Sequence, residues 1–261
     1  MSAVPDRPRS GLLRDTDALL RGDLAPTDGL ALGILAVPLA RVVRIALVAG
    51  VIAGTAVGAF GVLRGTGHAF QILSSAIKVP LLFALTLAVT APSLCAFSAL
   101  ARSSLGAAAT LRLLAIACAT ALAITASFAP ILLFFALCTE SYAFLVLLDA
   151  TAFAVGGGVG LGVLLRMLKA VFPVAPRPPV DALDPATAPG PLRPRPRPEE
   201  HLTTRRLFRV WVVVFALVGA QMAWVLRPFL GAPGLPFEWF RDRESNVFAA
   251  LLHALGVLLR G

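Results

Sequence analysis

Charge is what this chain has least of. Only 14% of its 261 residues are charged, against roughly a quarter in a soluble domain. Hydrophobic residues make up 58%. So few polar side chains cannot cover a globular surface in water, which excludes a water-soluble domain and leaves a chain whose solvent is a bilayer. Lysine is nearly missing: of 23 basic residues only Lys78 and Lys169 are lysines. Cys95, Cys118 and Cys138 each stand in an apolar run without C-x-x-C spacing, so neither a zinc site nor a dithiol motif is indicated. His68, His201 and His253 fall in a loop, a linker and the last apolar run. No Ser-His-Asp set, paired carboxylates or metal-ligand cluster can be assembled. The "GGGVG" run lacks the Lys-Ser/Thr of a phosphate loop and sits inside an apolar segment. The chain therefore implies no enzyme, no metal and no cofactor.

The net charge of +9 could point to nucleic acid, but no nucleic-acid-binding pattern accompanies it. The arginines flank apolar runs instead, so the partner implied is a lipid bilayer and not a nucleic acid. The first residues mix Arg with Asp and lack an early apolar stretch, so no cleaved signal peptide is expected.

What is present is a series of runs without charge. Residues 45–63, 79–101, 113–139, 142–165 and 210–226 are each bounded by charged residues, and only Asp149 interrupts one. In hydrocarbon every backbone N–H must be satisfied within its own segment, so such runs are helices. The last has 17 residues, the lower limit for about 30 Å of hydrocarbon. A sixth apolar run, 247–259, reaches only about 20 Å at helical rise. The fold expected is all-α: a polytopic transmembrane bundle of five spans plus a short C-terminal helix, interfacial or re-entrant. Residues 1–40 form a cytoplasmic N-terminal segment. Within it "GLLRDTDALLRGDL" suits an amphipathic helix with Leu12, Leu13, Leu19 and Leu20 on one side. Residues 41–170 hold spans one to four, 171–205 a proline-rich cytoplasmic linker, and 206–261 span five, an outer turn and the short helix. Ten of residues 173–200 are proline, which predicts an extended spacer.

Basic residues concentrate in cytoplasmic loops. With the N-terminus inside, 17 of the 23 fall on the cytoplasmic side and 6 outside. The expected protein is a multi-pass component of a bacterial inner membrane with its N-terminus cytoplasmic and its C-terminus external. The segment "LRPFLGAPGLPFEWFRDRESN", residues 226–246, then lies on the outer face. Pro228 ends span five, Ala232, Pro233, Gly234 and Leu235 suit a type II turn, and Phe237, Trp239 and Phe240 stand where an aromatic belt belongs. Ser245 or Asn246 can cap the last helix. Arg227, beside that proline, is expected to bind turn carbonyls or a nearby carboxylate and so pin the loop.

Asp149 is the acidic residue inside a span, and intramembrane carboxylates are functional candidates. It stands at the interface or pairs with an Arg, a Thr or Gln221 of span five. Arg227 and Trp239 complete the candidates. Gly50, Gly54 and Gly58 in span one, and Gly156 with Gly160 and Gly158 with Gly162 in span four, form small-residue stripes that let helices approach closely. They serve packing within one bundle or, alternatively, a homo-oligomer. Pro80 and Pro92 in span two and Pro130 in span three predict kinks.

Three stretches carry a resemblance: "LSSAIKVPLLFALTLAVTAPSL" (73–94), "FAPILLFFALCTESYAF" (128–144) and "GAQMAWVLRPFLGAPGLPFEWFRDRESN" (219–246). Together they resemble a bacterial family of polytopic membrane proteins found in cyanobacteria, planctomycetes and myxobacteria, whose role is unassigned. The resemblance covers most of residues 70–260 and implies no catalytic residues. Some members carry an actin-binding label. That motif needs an amphipathic helix followed by an L-K-K-T-like segment, and residues 10–24 lack the second part. The layout of spans is also similar to that of Yip-type membrane-trafficking proteins. The function expected is a non-enzymatic membrane-organising or partner-binding component, acting on lipid, a second copy or other membrane proteins. The alternative is a transporter or channel subunit using Asp149.

Overall fold

A computed structural model describes residues 11–22, 38–63, 69–100, 107–171, 198–226, 230, 239 and 247–260. The centre of the proline-rich linker, Arg227, the 232–235 turn and the Ser245/Asn246 cap lie outside these residues. The described residues are helical: α1 (Leu12–Arg21), α2 (Leu39–Leu63), α3 (Phe70–Leu100), α4 (Ala107–Ser127), α5 (Ala129–Cys138), α6 (Tyr142–Val171), α7 (Pro198–Leu226) and α8 (Val247–Arg260). Four segments are long and apolar enough to cross a membrane: Leu39–Leu63, Phe70–Ser93, Ala108–Cys138 and Tyr142–Leu168. The apolar parts of α7 and α8, Val210–Leu226 and Phe248–Leu259, are shorter. Leu47, Ile52, Val89, Phe134, Val159 and Val213 are exposed on the outside of the bundle. That pattern suits lipid and not water.

Charged residues do not delimit the helices as the uncharged runs suggest. Helix α2 begins at Leu39, six residues before its run, just after Pro38, whose carbonyl accepts the N–H groups of Arg41 (2.9 Å) and Val42 (3.4 Å). Helix α3 begins at Phe70 and takes Lys78 into its body. Helix α7 starts at Pro198, so the linker is shorter at its C-terminal end than expected. Charge marks where hydrocarbon ends, while a helix continues into the headgroups as long as its backbone ladder is unbroken.

Pro80 and Pro92 stay inside a single α3. At Pro130 the third span breaks. Helix α4 ends at Ser127, Phe128 forms a turn, and α5 restarts with the proline in its first turn, where its missing N–H removes no helical bond. The Phe128 carbonyl already accepts the N–H of Leu132 at 2.9 Å, so the two pieces stay nearly continuous. Ser141 then starts α6, its hydroxyl accepting the N–H of Phe144 at 3.2 Å, as an N-cap does.

Helix α2 is the central strut, packed by α3, α4 and α5, while α6 packs on α4. A methyl group added at Gly50 would lie 2.9 Å from Pro80 Cγ, at Gly54 2.8 Å from Ala76 Cα, and at Gly58 2.8 Å from Ile72 Cα. The partner number falls as the glycine number rises, so the helices run antiparallel with backbones nearly touching. On α6, Gly156 approaches the Ala121 carbonyl (2.7 Å) and Gly160 the Ala117 carbonyl (2.6 Å) in the same way. Gly158 and Gly162 face open space, because they lie on the other side of α6; the second stripe of that pair does not pack.

Helix α1 also departs from expectation. Leu19 is buried and Leu12 packs against the core, but Leu13 and Leu20 are exposed. At 100° per residue Leu12 and Leu19 share one stripe with Asp15, and the other two leucines lie on the next.

Candidate functional site

Helix α3 carries a stripe of polar residues at helical spacing: Gln71, Ser75, Lys78, Thr86, Thr90 and Ser93. The first five are buried. The stripe extends about 33 Å at helical rise, close to the depth of the hydrocarbon, with Leu82 filling the gap between Lys78 and Thr86.

Two members of the stripe tie another element to the bundle. At one end the buried indole of Trp211, on α7, donates from Nε1 to Ser93 Oγ at 2.8 Å. Ser93 donates in turn to the Thr90 carbonyl at 2.7 Å. Trp211 stacks at a tilt on Phe215, with ring centres 5.4 Å apart. One turn beyond Phe215, Gly219 lies beside Thr86, a methyl there meeting Thr86 Cγ2 at 3.7 Å. Helix α7 therefore runs antiparallel along α3, and that register brings Leu226 level with Lys78. Toward the other end Lys78, 2% exposed, donates from Nζ to the backbone carbonyl of Trp239. The Trp239 side chain stays exposed, whereas Leu230 is buried against Val57, Phe60, Leu132 and Leu145. Past α7 the chain thus meets the bundle at two described residues, Leu230 as an apolar plug and Trp239 through a charge-assisted hydrogen bond.

Along the stripe the hydroxyls bond into their own helix. Thr86 donates to the Leu82 carbonyl (2.8 Å) and Thr90 to the Thr86 carbonyl (2.6 Å). Gln71 Nε2 donates to Ser75 Oγ at 3.4 Å. On α4, Thr120 and Thr125 donate to Ile116 and Ala121, both at 2.9 Å. A polar group in hydrocarbon is costly unless hydrogen-bonded, and these hydroxyls are satisfied within their own helices, whereas Ser74 Oγ of α3 and Thr110 Oγ1 of α4 are buried without a partner.

Asp149 is placed differently. Its Oδ1 is buried with no hydrogen-bond partner. One turn to either side on α6 lie Leu145 and Phe153, both within apolar clusters. The α4–α6 register set by Gly156 and Gly160 brings Asp149 level with the α4–α5 break. Gln221 does not join it: that side chain is exposed on α7. The four expected candidates therefore do not converge. Asp149 is half-buried with an unpartnered Oδ1, Gln221 faces outward, the Trp239 backbone is held by Lys78, and Arg227 is outside the described residues.

Sequence reasoning missed Lys78 and Trp211. Lys78 bounds the second uncharged run and Trp211 lies inside the fifth, and nothing in the runs themselves marks either. The signal for both was the spacing of polar residues on α3, four-three-four-four-four-three when Leu82 is counted. In an otherwise apolar helix such a stripe must face protein.

Among the described residues no three His, Cys, Asp or Glu side chains come together to hold a metal ion. Searches of the chain against protein-family profiles, curated proteins and solved structures found no match.

Proposed function

We propose that this protein is a non-enzymatic membrane component that presents Trp239 on its outer face to a partner in or on the membrane. The observation that carries this reading is the Lys78 hydrogen bond: the Trp239 carbonyl is held from inside the bundle while the residue's side chain stays exposed. Tryptophan on a preorganised backbone is a frequent anchor of recognition surfaces. In this reading α7 makes a fifth crossing, since it lies along α3 through the depth that α3 spans. The N-terminus is cytoplasmic, the segment after α7 external, and the membrane a bacterial inner membrane, on the asymmetry of basic residues. Taking Lys78 into a span removes one charge from the outer count and strengthens that asymmetry.

Two measurements test it. A reporter fused near residue 190 should behave as cytoplasmic and one after residue 261 as external; the reverse pattern overturns the topology. Chemical crosslinking in native membranes should give an adduct that Trp239→Ala abolishes and a lipid-facing control, Val159→Ala, retains. Identical adducts in both variants would overturn the role of Trp239.

A second reading has one observation in its favour. An unpartnered buried carboxyl oxygen at the level of a broken span is an arrangement that ion- and proton-handling proteins use. Proteoliposomes loaded with a pH-sensitive dye would respond to an imposed cation gradient if Asp149 handles protons, and Asp149→Asn would silence them.

A further inference from the structure

At the opposite end of the bundle, Arg41 and Arg44 stand in the first two turns of α2, three residues apart on one face. This is the positive end of the helix dipole, where cations are disfavoured. Among the described residues one anion offsets them. Asp15 of α1, itself buried, brings a single oxygen, Oδ2, to 3.0 Å from Arg44 Nη2 and 3.6 Å from Arg41 Nε. Two guanidiniums and a helix N-terminus thus share one carboxylate, and the described groups of the site carry a net positive charge. The Arg44 side chain is 53% exposed and that of Arg41 35%. A guanidinium has five donors in a planar fork, so both can serve further acceptors.

Arg44 is also the last charged residue before hydrocarbon. One and two turns below it on the same side of α2, Leu47, Val48 and Val51 are exposed. An arginine pair directly above an exposed apolar stripe fits a phosphate joined to acyl chains better than a free anion. On α1, exposed Leu13 and Leu20 flank the stripe that carries Asp15.

We propose that Arg41 and Arg44 form a binding site for the phosphate of an anionic phospholipid, whose acyl chain runs down Leu47, Val48 and Val51, and that Asp15 is an internal anion competing for the same guanidiniums. Asp15 docks α1 when lipid is absent and yields part of the arginine pair when lipid is bound. The proposal rests on the bilayer reading alone and not on Trp239 or on any protein partner.

The test uses the full chain in detergent, with thermal melting followed as phosphatidylglycerol or phosphatidylcholine is titrated in. Phosphatidylglycerol should raise the melting temperature and phosphatidylcholine should not. Each arginine near an anionic surface contributes about a fivefold gain in affinity. The midpoint for Arg41→Gln/Arg44→Gln should therefore rise by roughly an order of magnitude or more. Asp15→Asn should lower the melting temperature without lipid yet shift the phosphatidylglycerol midpoint to lower concentration, because the competitor is gone. If the double variant does not fold, Asp15→Asn and the two-lipid comparison decide. An equal response to both lipids overturns the proposal. So does an unchanged midpoint in the double variant, a weaker response in Asp15→Asn, or the same shift from inorganic phosphate.

Discussion

Lys78, buried in the first half of α3, donates its ammonium hydrogen bond to the main-chain carbonyl of Trp239, 161 residues away in sequence. A cation taken out of water is costly unless hydrogen-bonded, and here its described acceptor lies outside the helices. The carbonyl satisfies the lysine, and the lysine positions the Trp239 backbone. The Trp239 side chain stays exposed.

The glycine contacts make a directional prediction. Gly54→Ala would push a methyl against the backbone of Ala76, with no flexible side chain to yield. Overpacking of this kind costs about 1–3 kcal/mol, so the variant should melt clearly lower in detergent. Gly158→Ala fills open space on a helix and should be neutral or gain up to about 1 kcal/mol from helix propensity. Equal melting of the two variants would show that α2 and α3 are not in the close contact described.

Trp211 and Ser93 should behave as a pair. Trp211→Phe keeps most of the ring and loses the N–H donor. Ser93→Ala loses the acceptor. Each should cost about 0.5–1.5 kcal/mol, and the double variant should cost less than their sum, the mark of a shared interaction. Strict additivity in a detergent melting cycle would break the link between α7 and α3.

Much of the bundle was legible in the sequence because the bilayer makes one rule dominant: an uncharged run of sufficient length becomes a helix. That rule placed α2, α3, α4 with α5, and α6, and it flagged the glycine stripes of α2 and α6. It failed where two roles share a residue type. Lys78 looks like a boundary charge and is a buried donor. Asp15 looks like a surface acid on α1 and is the buried counter-ion of Arg41 and Arg44. Pro130 was expected to bend span three and instead splits it into α4 and α5. The separation of Gln221 from Asp149 depends on how α7 rotates against α3, and that rotation is set by Trp211 and Gly219 through contacts more than a hundred residues apart.

Asp149 separates the two functional readings. Its unpartnered oxygen lies in apolar packing, so neutralising the side chain removes a desolvation cost and no hydrogen bond seen in the structure. Asp149→Asn should melt at or above the parent, within about 1 kcal/mol. If the chain is a membrane-organising component, that variant should also keep the Trp239-dependent crosslink. A loss of about 2 kcal/mol or more would mean that the carboxylate has a bound partner in the membrane and would favour ion handling.

The central claim, that Lys78 holds the Trp239 backbone from within the bundle, is tested most directly by hydrogen–deuterium exchange over residues 227–246 in lipid nanodiscs, comparing the parent with Lys78→Met. Methionine keeps the length and apolar stem and removes the donor. A charge-assisted hydrogen bond is worth about 1.5–3 kcal/mol, so exchange in this segment should accelerate by roughly one to two orders of magnitude, while α2, α4 and α6 keep their protection. Unchanged exchange at 227–246 in Lys78→Met would contradict the account.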